Sequence, residues 1–159
     1  MNTSTSQQEE LQELYRELIL DHARSPRHFG KLECASHQAE GINPLCGDKL
    51  KMYFQIDPHR RIINAAFEGS GCAISVASAS LLIETVIGLT SDQATDYYSN
   101  ITALLSGQLS NDANERIDLG KLKALEGVRE FPSRVKCATL AWKALNSAIN
   151  TDHKHVSTE

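Results

Sequence analysis

Near the start of the chain, Leu11, Leu14, Tyr15, Leu18 and Ile19 recur at spacings of three and four, with charged residues between them. That period predicts an amphipathic helix over about 7–24, closed by Pro26. The period is then lost. Residues 26–47 hold Pro26, Gly30, Gly41, Pro44 and Gly47, which predicts irregular chain with one short edge strand over 36–42. From Asp48 the pattern changes to alternation: Leu50, Met52, Phe54 and Ile56 share one face of a half-buried strand. Residues 57–60 form a turn with Pro58 at its second position. Residues 61–69 return as a second strand, with Ile63, Ala65 and Phe67 on one face.

Helical patterning resumes at Ala73 and predicts a helix to Gly88. Its first half is nearly all small residues, which suits close packing. Thr90 and Gln93 are spaced as a capping box, so a further helix is expected over 91–105, ending near Gly107. Residues 108–132 are polar, with a short helix around 118–126. Pro132 and Ser133 open a last helix over 134–149, and 150–159 read as a flexible tail. No repeat and no linker composition divides the chain. The expected fold is α+β: one domain, with a small antiparallel sheet of about three strands packed by helices.

The chain has 159 residues, enough for a real core, and 41% of them are hydrophobic. A formal net charge of −4 argues against nucleic acid or an anionic membrane as the main partner. No apolar run is long enough to span a bilayer. Residues 1–10 lack a basic start and an apolar stretch, so a cytoplasmic protein is expected.

That compartment bears on the four cysteines, Cys34, Cys46, Cys72 and Cys137. In a reducing cell, thiols that cluster serve metal or sulfur chemistry rather than disulfides. The hairpin suggests such a cluster. Equal arms of eight residues would set Lys49 opposite Glu68 and Asp48 beside Gly69, at roughly 5 Å. The Gly69–Ser70–Gly71 turn would then bring Cys72 back to Cys46 and Asp48. Cys72 sits at a helix start, where free amides favour a thiolate. Cys137 is expected in or near the first turn of the last helix, with Arg134 and Lys136 close by, which should also lower its pKa. Three thiolates and a carboxylate suit four-coordinate Zn²⁺, with Asp48 the more readily displaced ligand. Spacing alone does not bring Cys137 to the other two. It leaves metal or sulfur chemistry level with unlinked core cysteines.

Three segments tip that balance. NPLCGD (43–48), GSGCAISVASAS (69–80) and RVKCATLAW (134–142), in this order, resemble the IscU/SufU family of iron–sulfur cluster assembly proteins and the N-terminal domain of NifU. The resemblance implies an antiparallel sheet packed by helices, with Cys46, Asp48, Cys72 and Cys137 as metal ligands. IscU scaffolds carry a histidine before the third cysteine and an LPPVK-like stretch ahead of it. This chain has Lys136 there and reads EFPSRVKC, and 108–132 look like the insertion of the SufU branch. The closer resemblance is therefore to SufU. It implies a zinc-bound sulfurtransferase that accepts persulfide sulfur from a SufS-like, pyridoxal-phosphate cysteine desulfurase. Downstream SUF scaffold proteins and a second copy of the chain are further candidate partners.

Cys46 is the expected acceptor, because a turn after Pro44 moves more easily than a helix. Arg134 would assist docking or steady sulfur anions, against the plainer reading of a surface or capping arginine. The rival function is a scaffold on which a [2Fe–2S] cluster forms and leaves, using the same four ligands. A structural zinc module fits less well with the labile aspartate. Other residues read as ordinary: Cys34 as a loop or core thiol, His22 as packed, Trp142 and Phe67 as core, Tyr97 and Tyr98 as half-buried. Glu9, Glu10 and Glu13 form a solvated face, and His153 and His155 belong to the tail.

Overall fold

In the computed structural model, which describes residues 3–108, 117–150 and 155–158, the alternating segments form one sheet. Strands β1 (His37–Asn43), β2 (Asp48–Ile56) and β3 (Ile62–Ser70) pair antiparallel. A short β4 (His155–Ser157) lies parallel to β1, giving the order β3-β2-β1-β4. The expected edge strand exists, but its outer side is covered. Part of the residues read as a tail supplies that cover, because β1 still has free backbone groups there.

Helix α1 spans Thr3–Arg24, α2 Ala73–Val86, α3 Ser91–Ser106 and α4 Pro132–Asn150. A 3-10 helix, Gly120–Val128, lies between α3 and α4. Thr90 and Gln93 form the expected capping box, and Gly107 ends α3 in the left-handed region at φ 75°. Pro132 occupies the first helical position of α4, where its missing N–H costs nothing. No helix among the described residues is long and apolar enough to cross a membrane.

The inward row of β2 carries Leu50, Met52 and Phe54, all fully buried. They pack with Phe67, Leu82, Trp142 and Leu145 in the layer shared with α2 and α4. Gly41, opposite Leu50, lets α4 come close: a β-carbon there would sit 2.9 Å from Leu140 Cδ1. The outer face of the sheet carries charged and polar side chains, although Tyr53 there is buried. Lys49 pairs with Glu40 at 3.3 Å, and Tyr53 donates to Glu68. Burial and that carboxylate push the Tyr53 phenol up to about 12.

The hairpin differs from the equal-arm pairing. Lys49 faces Ser70, and Lys51 faces Glu68, a shift of two residues. The loop is longer than a four-residue turn, since Asp57 N–H donates to Arg61 O. The pairing Gln55↔Asn64 followed by Ile56↔Ile62 leaves Ile63 as a bulge. The inward position before Ala65 is therefore Ile62, fully buried, while Ile63 is 47% exposed. The stripe on α1 also divides. Ile19 is buried and Tyr15 and Leu18 pack against the core, but Leu11 and Leu14 are exposed. Only the second half of the helix lies on the body of the protein.

His22 fastens that half. Its ring Nδ1 lies 2.7 Å from Ser80 Oγ on α2, and Arg27 N–H donates to the same oxygen at 2.9 Å. The ring is fully buried, with Nε2 3.3 Å from Glu84 Oε1. Burial leads the causes that lower its pKa, so the neutral form is held.

Candidate metal centre

The inward rows of β1 and β2 end in polar residues. In β1 the row runs Ala39, Gly41, Asn43, and in β2 it begins with Asp48 before Leu50. Asn43 and Asp48 are cross-strand partners and each is 1% exposed. The four residues between them, Pro44 to Gly47, form a turn that presents Cys46 to solvent. A carboxylate has thus been set where the core would otherwise continue, and a thiol one turn away is left outside.

Cys72 arrives from the far side of the sheet as N-cap of α2, its sulfur accepting from Ser75 N–H at 3.5 Å. The Cys72 backbone N–H donates to Asp48 Oδ1 at 2.8 Å, and Ser75 Oγ donates to the same oxygen at 3.2 Å. Gly71 makes this approach possible. A β-carbon there would lie 2.6 Å from Asp48 Oδ1 and 2.4 Å from Ser75 Oγ, too close for either atom to stay. Asp48 Oδ2 accepts from Asn43 Nδ2 at 3.0 Å. Burial alone would raise the Asp48 pKa. The hydrogen bonds from Cys72 N–H, Cys137, Asn43 and Ser75 outweigh it and hold the carboxyl below its usual value.

Cys137 comes from α4 and is 1% exposed. Its sulfur accepts from Asn43 Nδ2 at 3.3 Å. The structure therefore supplies the convergence that spacing left open. One ligand atom each from Cys46, Asp48 and Cys137 lie within 4.8 Å of one another; Cys72 stands outside that group and is tied to it through its backbone N–H on Asp48.

The expectation that Cys137 would be acidic is overturned. It is the sixth residue of α4 rather than in its first turn, where the helix field has faded. Burial first, then Cys46, Asp48 and Cys72, push its thiol strongly upward. Arg134 is exposed and lies over the Phe131 ring at 4.7 Å, and Lys136 is half-buried. Neither is among the groups that set the thiol's pKa. Burial and crowding hold the proton on Cys137 unless a cation replaces it, so this donor set fits a soft divalent metal.

Cys34 is exposed, with Sγ 3.2 Å from Gln55 Oε1, and takes no part. His153 and the side chain of His155 lie outside the described residues, as do 109–116 of the polar insertion. Sequence reasoning missed Asn43 and Ser75. Asn43 was legible only once β1 was known to continue to it; Ser75 stands three residues after Cys72, the spacing at which a helix N-cap meets a backbone amide.

Residues 14–138 match the family model of the NifU-like N terminal domain. A zinc-dependent sulfurtransferase, SufU of Bacillus subtilis, is 39% identical over 87% of this chain and 91% of its own. An iron–sulfur cluster assembly scaffold protein, IscU of Streptococcus pyogenes, is 37% identical over 87% of this chain and 84% of its own. The crystal structure of a SUF-system scaffold candidate from Fervidobacterium islandicum superposes with a TM-score of 0.77 at 37% identity, covering 84% of this chain and 95% of the other.

Proposed function

The chain belongs to the family of NifU-like N-terminal domains, and we propose that it serves iron–sulfur cluster assembly as a zinc-dependent sulfurtransferase. Its sulfur would come from the persulfide of a pyridoxal-phosphate cysteine desulfurase. The observation that carries this reading is the pairing of an exposed cysteine on a turn, Cys46, with the buried Asp48 and Cys137 within 4.8 Å.

Cys46, Asp48, Cys72 and Cys137 are the ligands in this reading. A bound zinc ion would supply positive charge in place of the thiol protons, so that Cys46 is a thiolate at neutral pH. The Cys46 sulfur attacks the outer sulfur of the partner's persulfide. A new S–S bond forms on Cys46, the partner's S–S bond breaks, and the partner's cysteine leaves as a thiolate. The transferred sulfur keeps its oxidation state, so no oxidant or reductant is consumed. Cys72 and Asp48 stay tied to each other through the Cys72 amide throughout. Leu45 is 64% exposed beside Cys46, and Phe131 is 46% exposed at the entry to α4, apolar anchors of the kind a protein partner buries.

Alanine release by a cysteine desulfurase tests the reading. It should accelerate when this protein is added and fail to do so with Cys46→Ala. Equal stimulation by both would remove Cys46 as the acceptor.

The relatives named as scaffolds, at nearly the same identity, support a second reading, transient assembly of a [2Fe–2S] cluster on the same ligands. Metal and sulfide analysis of anaerobically purified protein separates the two: one zinc per chain for the first, iron with acid-labile sulfide for the second.

A further inference from the structure

Asn43 has a hydrogen-bonding pattern that core packing does not explain. Its side chain is 1% exposed, and its amide nitrogen uses both hydrogens on the centre: one to Asp48 Oδ2 at 3.0 Å and one to Cys137 Sγ at 3.3 Å. Its amide oxygen is buried with no partner. Flipping the amide would aim that oxygen at the Asp48 carboxylate, itself an acceptor, so the orientation is set. A buried acceptor has been left unpaired while both N–H groups serve the centre. An apolar residue would fill the same space without that cost.

We propose that Asn43 is the positioning residue of this centre: it ties Asp48 and Cys137 together as the fixed part of the ligand set and leaves Cys46 as the part that moves. The two residues it joins come from different elements, β2 and α4. Register places it there, because it stands opposite Asp48 at the closing pair of the hairpin. Cys46 lies inside the loop that this pair closes. An N–H donated to a thiolate also draws electron density from sulfur. Bound to a metal, Cys137 is then the weaker nucleophile and Cys46 the stronger, before burial is considered.

This inference rests on the reading that the four ligands hold a metal, and the test uses the metal alone, without a desulfurase. Cobalt(II) is added to the full-length protein and to Asn43→Ala and Asn43→Leu, and the sulfur-to-cobalt charge-transfer band is recorded. Zinc affinity is measured in parallel by competition with a chromophoric chelator. Both variants should shift the band to lower energy, because the Cys137 sulfur loses its donor, and zinc affinity should fall about 10- to 100-fold. Asn43→Leu fills the space and removes the unpaired oxygen, so it should melt within a few degrees of the wild type without metal. A purely structural Asn43 gives the reverse: a lower melting temperature with unchanged spectrum and affinity, which overturns the proposal. A wild-type protein that binds neither metal overturns the metal reading itself, and this proposal with it.

Discussion

Helix α2 carries two buried polar clusters on its length, and they differ in how donors and acceptors balance. Around Ser80, the Arg27 N–H meets Ser80 Oγ, Ser80 meets His22 Nδ1, and His22 Nε2 faces Glu84. Donors and acceptors there are matched in number, although His22 Nε2 is buried without a hydrogen bond, 3.3 Å from Glu84 Oε1. At the start of α2, the sulfurs of Cys46 and Cys137 and the Asp48 carboxylate gather, with Cys72 beside them, on the few donors given by Asn43, Ser75 and one backbone amide. Without the thiol protons acceptors are in surplus, and a cation can make up the difference. Both clusters contain a serine on α2 and a charged or titratable partner from another element. One is a clamp that holds α1, and the other is a centre.

The sharpest way to break that contrast is to remove sulfur from the centre. Cys72→Ser and Cys137→Ser should each take zinc from about one per chain towards none by elemental analysis. Full occupancy in both would show that the surplus acceptors are not ligands. Loss of metal should also lower the melting temperature, since binding to the folded state adds stability by linkage.

Asp48→Ala comes next, and its outcome divides the two functional readings. A zinc sulfurtransferase should become a colourless, zinc-poor and weakly active protein. A brown protein with a visible cluster after anaerobic purification would favour the scaffold.

The clamp should respond in the opposite sense. His22→Ala should destabilise the fold by about 1–3 kcal/mol through the buried space the ring leaves and the Ser80 hydroxyl that loses a partner, read by denaturant melts, with zinc stoichiometry unchanged. A loss of zinc in this variant would mean that the two clusters are coupled along α2.

The smallest effect is the pH response. The folded state lowers the His22 pKa from 6.5, so the unfolded chain binds more protons as pH falls. The stability contributed by neutral His22 is whole above pH 6.5 and is lost as pH drops towards the lowered folded value. His22→Gln should flatten that slope between pH 6.5 and the acid limit of the fold. An unchanged slope would mean that other groups carry it.

Periodicity determined the helices and the two long strands, because local amphipathic pattern is enough to specify an element that buries one face. Turn chemistry placed Thr90, Gly107 and Pro132 correctly for the same reason: capping is a contact between near neighbours. Three motifs in order named Cys46, Asp48, Cys72 and Cys137 as candidate ligands through resemblance. Tertiary structure decided the rest. A loop one residue longer and the bulge at Ile63 together moved the register by two, since loop length sets pairing and the sequence does not spell out where an extra residue is accommodated. Burial reversed the expected acidity of Cys137, because the desolvation of a thiol depends on what surrounds it in space. Asn43 came to its two partners only through the meeting of β1, β2 and α4: it lies five residues from Asp48 but 94 from Cys137, a distance along the chain that no local pattern spans.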